Sequence, residues 1–98
     1  MPLALLSVSD KTGLIEFAAG LIKLDWKLLA SGGTARALRE ADLHVEDLAE
    51  YTQSPEILNG RVKTLHPRIY AGILSRKTES DRDDLNRVQA KAIDMVVV

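Results

Sequence analysis

Along its first half the chain alternates between two hydrophobic periods. Leu3 to Val8 is a short apolar run, the pattern of a strand covered on both faces. From Leu14 onward the apolar residues fall at Leu14, Phe17, Ala18, Leu21 and Ile22, with Glu16 and Lys23 on the opposite face, which is helical spacing. Ser9 and Asp10 precede that helix, and either side chain can cap its first turn. Trp26 to Ala30 reads as a second strand, and Ala35 to Ala41 as a second helix with Arg36, Arg39 and Glu40 outward. Val45 to Ala49 reads as a third strand, weakened by Glu46 and Asp47. This order predicts an α/β fold: a mostly parallel sheet with helices on both faces.

The second half is less regular. Tyr51 to Pro67 is punctuated by Pro55 and Gly60, with one helical turn expected over 55–58 and a basic loop over 61–64. Pro67 suits the first position of a helix. Ile69 to Leu74 fits both periods, because Ile69, Ala71 and Ile73 alternate while Ile69, Tyr70, Ile73 and Leu74 share a helical face; helix is the preferred reading. Asp81 to Ala92 predicts a charged amphipathic helix with Leu85, Val88 and Ala92 inward, and Met95 to Val98 a last strand.

Bulk properties narrow the function classes. The 98 residues are read as one domain, residues 1–98, with one modest core. A net charge of −1 with both signs dispersed argues against a nucleic-acid-binding surface. The absence of cysteine excludes disulfides and thiolate metal sites. No apolar run approaches a membrane span and the start lacks a signal-peptide pattern, so a cytoplasmic protein without membrane partners is expected.

Three loops carry candidate chemistry. Ser31-Gly32-Gly33-Thr34 lies between a strand and a helix, where glycines let backbone N–H groups approach an oxyanion and the helix dipole favours negative charge. Ser31 and Thr34 add hydroxyls; the competing reading is a tight strand-to-helix connection. Ser9-Asp10-Lys11-Thr12 follows the first strand. If the first two strands are neighbours, Lys11 reaches the same anion, against the simpler alternative of an exposed lysine. Arg61-Val62-Lys63-Thr64 sets two cations and a hydroxyl in one loop, and on spacing alone a solvated basic loop is the favoured reading. His66 reads as a turn residue before proline, His44 as a surface residue, and Asp81, Asp83 and Asp84 as a helix N-terminal cluster. Phe17 and Trp26 are expected in the core. No metal-ligand spacing occurs.

Taken in order, LLSVSDKTGL, LLASGGTARAL and PEILNGRVKTLHPRIYAGIL resemble the amino-terminal cyclohydrolase domain of bifunctional purine-biosynthesis proteins. The closing IDMVVV is similar to the strand that precedes an Asn-Leu-Tyr-Pro-Phe motif in that family. The resemblance implies a methylglyoxal-synthase-like fold, a homodimer and a transformylase domain elsewhere in the protein. It implies closure of formamidoimidazole-carboxamide ribonucleotide (FAICAR) to inosine monophosphate (IMP), without metal or organic cofactor. Phosphate and ribose contacts carry over to Ser9, Lys11, Ser31, Gly32, Gly33 and Thr34, and base-proximal catalytic roles to Lys63, Arg61 and Thr64. The family's domain is longer, so this chain is expected to be incomplete at its C-terminus, short of a tyrosine, an aspartate and a lysine that contribute to the site. Gln53-Ser54 and Tyr70 also depart from the usual Gly-Phe and histidine. Two other readings are a nucleotide- or phosphate-binding fragment without turnover, and a different methylglyoxal-synthase-like phosphate sensor.

Overall fold

The computed structural model describes residues 1–53 and 66–98. Four parallel strands, β1 (Leu3–Leu6), β2 (Lys27–Ala30), β3 (Glu46–Asp47) and β4 (Met95–Val97), form a sheet of order β3-β2-β1-β4. The helices are α1 (Leu14–Lys23), α2 (Gly32–Glu40), α3 (Leu48–Thr52), α4 (Pro67–Leu74) and α5 (Glu79–Arg87).

The pleat of β1 explains the two-sided core. Ala4 and Leu6 point into a cluster with Leu14, Ala18 and Leu21 of α1 and Ala35 and Leu38 of α2. Leu3 and Leu5 point the other way, against Leu48 and Tyr51 of α3 and Ile69 of α4. A strand covered on both faces has no polar side to present, hence its unbroken apolar run. Burying a leucine such as Leu6 or Leu29 stabilises the fold by roughly 1.5–3 kcal/mol. The expected α/β architecture, with helices on both faces, is therefore present.

Several boundaries differ from the pattern. β1 ends at Leu6, two residues short of Val8. α1 is not capped by Ser9 or Asp10; its N-cap is Gly13, in the left-handed region at φ 75°. Asp10 instead accepts from the Thr12 N–H at 3.0 Å, closing a local turn. Phe17 is 43% exposed, because the buried stripe of α1 is Leu14, Ala18 and Leu21 and Phe17 falls beside it. Trp26 does pack against the core, but as the residue that terminates α1 rather than as part of β2. α2 starts at Gly32, so most of SGGT is the helix's first turn. β3 is only Glu46–Asp47, since the Asp47 side chain accepts from Ala49 N–H at 2.8 Å and starts α3 there.

Residues 67–74 are the helix α4, with Pro67 at its start and His66 as N-cap, its Nδ1 accepting from Arg68 N–H at 3.1 Å. Its buried side is Ile69 and Gly72, whereas Tyr70, Ile73 and Leu74 face outward. Gly72 is fixed by close approach: a Cβ there would lie 2.5 Å from the Lys91 carbonyl oxygen. α5 ends at Arg87, leaving Val88 and Ala92 exposed and Ala90 buried in their place. The turn expected over 55–58 lies outside the described residues. At the far edge β4 pairs with β1, Ala4 opposite Met95, and the Asp94 side chain accepts from Leu3 N–H at 2.8 Å.

Candidate functional site

The carboxyl ends of β1 and β2 lie side by side, since these strands are neighbours in register from Leu3–Lys27 to Leu6–Ala30. The loop after β1 and the start of α2 therefore meet, in the part of an open α/β sheet where ligands bind. Thr34 joins them. Its Oγ1 accepts from Val8 N–H at 3.2 Å and lies 3.3 Å from the Val8 carbonyl, to which the hydroxyl can donate. Ser31 is buried as well, and its hydroxyl donates to Thr34 Oγ1 at 3.5 Å. Neither hydroxyl caps α2. Both are thus engaged in joining the two loops.

Lys11 closes over this joint. Its ammonium donates to the carbonyls of Val8 at 3.1 Å and Ser9 at 3.5 Å, and lies 4.0 Å from where a Cβ of Gly33 would be. Glycine at position 33 leaves that space open in the first turn of α2, which contains no acidic residue. The early N–H groups of a helix point beyond its end, so the ammonium and the helix terminus present positive charge at one place. Ser9, Lys11 and Gly33 are exposed there, and Gly32 is half-buried. The six residues expected to hold a phosphate thus occupy one corner of the sheet. The neighbouring Asp10 carboxyl is held below its ordinary range by the Thr12 N–H.

Arg61, Lys63 and Thr64 lie outside the described residues. The positions flanking that stretch do interact: Arg68 stacks its guanidinium 4.0 Å from the centroid of the Tyr51 ring and donates to the Tyr51 carbonyl. Beside the start of α2 is an open pocket of about 430 Å³ lined by Gly32, Arg36, Arg39, Glu40 and Asp47. Arg39 is tied to the Val45 carbonyl at 3.1 Å and to Glu50 at 3.6 Å. The polar pattern assigns both arginines to a solvated helix face; only the placement of β3 next to β2 reveals this pocket. Among the described residues no group of three His, Asp or Glu side chains is placed to hold a metal ion, and no helix is long and apolar enough to cross a membrane.

The model of the MGS-like domain matches residues 13–98, nearly the whole chain. This chain belongs to the MGS-like domain family. As such a domain it is 58% identical over 98 residues to the bifunctional purine biosynthesis protein PurH of Trichormus variabilis, and 55% identical over 97 residues to that of Myxococcus xanthus. Each match covers 98% of this MGS-like domain chain and 19% of the relative, so the chain spans about a fifth of the length of the curated relatives it matches. A solved structure described as the crystal structure of ForH superposes on this MGS-like domain with a TM-score of 0.86 at 44% identity, covering 97% of this chain and 50% of that one.

Proposed function

We propose that this MGS-like domain belongs to an IMP cyclohydrolase acting in purine biosynthesis, within a bifunctional protein that also carries an AICAR transformylase domain. The observation that supports the reading is the joint of Lys11, Gly33 and Thr34, where the Lys11 ammonium lies beside the first turn of α2. Similarity to the PurH proteins supports the purine assignment. In this reading Ser9, Lys11, Ser31, Gly32, Gly33 and Thr34 hold the 5′-phosphate and ribose of the nucleotide, Ser31 and Thr34 by shaping the loops.

The reaction needs no external reactant. The carboxamide nitrogen attacks the formyl carbon, the new C–N bond forms, and one N–H proton passes to the formyl oxygen. Loss of that hydroxyl together with the proton on the formamido nitrogen releases water and leaves the ring C=N bond. Lys63 manages charge and protons at the formyl oxygen, while Arg61 and Thr64 position the base. Because both reacting groups belong to one molecule, holding the reactive rotamer contributes as much as acid–base chemistry. The protein works in the cytoplasm as a homodimer, without a cofactor for this step.

Calorimetric titration with IMP tests the reading, using this chain and the longer protein in parallel. Binding is expected to weaken roughly tenfold in Lys11→Ala, the loss of about one charge-assisted hydrogen bond. Turnover of FAICAR by the longer protein is expected to fall in Lys63→Ala with circular dichroism unchanged. Wild-type affinity and rate in both variants would refute the assignment.

A second reading is that the chain on its own binds nucleotide or phosphate without turnover, at the same Lys11 and Gly33 corner. Binding by both proteins with turnover only by the longer one is the outcome it expects.

A further inference from the structure

At the opposite, amino-terminal ends of the strands lies a cavity of about 930 Å³, within the range that accommodates small molecules. It is lined by Lys27 of β2, by Arg76 and Lys77 between α4 and α5, by Arg82 of α5 and by Lys91 before β4. In a chain of net charge −1 this concentration of cations is not a consequence of composition.

The carboxylates near these cations are already committed. Asp94, also on the wall, accepts from Leu3 N–H at 2.8 Å. Asp81 accepts from the backbone N–H of Arg76 at 2.8 Å and from its Nε at 3.1 Å. That side-chain bond holds the Asp81 carboxyl below its ordinary range, so the pair persists at neutral pH. Lys27, Lys77, Arg82 and Lys91 have no carboxylate partner among the described residues. The α5 N-terminus is capped by the Thr78 hydroxyl, which accepts from Asp81 N–H at 3.2 Å, and its first turn carries the acidic Glu79 and Asp81, leaving the side chains as the source of positive charge.

The walls are also held in place. Lys91 N–H donates to the Tyr51 hydroxyl at 3.0 Å, Ile93 N–H to the Gly72 carbonyl at 2.9 Å and Asp94 N–H to the Leu3 carbonyl at 2.8 Å. Fixed backbone lowers the ordering cost of binding. Arg82 offers a planar fork and the three lysines compact charges, a set that suits several phosphate oxygens better than one planar carboxylate.

We propose that this cavity is a second anion site, separate from the one at the carboxyl ends of the strands, for a small compound carrying two or more phosphate groups. Its existence does not depend on the cyclohydrolase assignment. Inorganic tripolyphosphate is the probe, titrated calorimetrically into the Lys11→Ala chain, where the other anion site is weakened. Saturable binding of one equivalent is expected, with inorganic phosphate binding much more weakly. Adding Lys77→Ala and Arg82→Ala should weaken tripolyphosphate roughly tenfold or more, and Lys91→Ala alone is the second variant should the triple variant lose its circular dichroism. Absence of saturable binding, or affinity unchanged by removing these cations, would overturn the proposal.

Discussion

Thr34 illustrates how one buried hydroxyl can join two loops. It meets both the N–H and the carbonyl of Val8, so the loop after β1 is held against the start of α2. Thr34→Val keeps the shape and leaves Val8 N–H without its acceptor. We expect a loss of about 1–3 kcal/mol of stability, read from the denaturation midpoint, together with weaker anion binding, because the Lys11 loop loses its anchor. Gly72 makes the complementary case, in which what matters is an absent atom. Gly72→Ala would place a methyl group 2.5 Å from the Lys91 carbonyl oxygen and 3.0 Å from Ile93 Cγ1. Such overpacking costs typically 1–3 kcal/mol, and thermal unfolding is the check. Of these two residues only Thr34 was marked by the sequence, and for a different task. Hydroxyl chemistry beside two glycines is visible in a string of letters, whereas the partner of that hydroxyl is set by strand adjacency.

At the scale of elements, the helix C-termini explain which boundaries were legible. α1, α2 and α5 all close in the same way. After α5, Ala90 N–H returns to the Leu85 carbonyl at 2.8 Å and Gln89 N–H to Asn86 at 3.2 Å, with Gln89 at φ 58°. Asp25 and Asp42 occupy the equivalent left-handed positions after α1 and α2, at φ 65° and 62°. Glycine is the usual residue there. Because a glutamine stands at this point, the amphipathic pattern runs on to Ala92, although the helix has already ended at Arg87. Gln89→Gly removes the steric penalty of a Cβ in this region and should stabilise the fold by ~0.5–1 kcal/mol, measured as a raised denaturation midpoint. The starts of helices were harder to place from pattern for a related reason. Backbone geometry at Gly13 and a short aspartate turn at Asp47 begin helices where no capping box marks them. Long, strongly periodic segments such as Leu14 to Ile22 survive these errors, because their buried stripe is fixed by the sheet beneath them.

For the molecule as a whole, the alternation of strands and helices was enough to give the parallel sheet and its two-sided core, while the meeting of the first two loops rested on β1 and β2 being neighbours, which the sheet order supplies. The order of the strands was not, since β4 joins β1 across the length of the chain and nothing local encodes that pairing. The same long-range closure has a consequence for how the polypeptide is made. β1 leaves the ribosome well before its partner on one side, Met95–Val97, which follows it late in these residues. At roughly 5–20 residues per second, that edge of β1 waits on the order of 5–20 s for its neighbour. During that interval an apolar strand is paired on one side only, the condition under which nascent chains associate wrongly. A chaperone that shields Leu3–Leu6 while α4 and α5 are still being synthesised would therefore protect the strand edge that waits for β4.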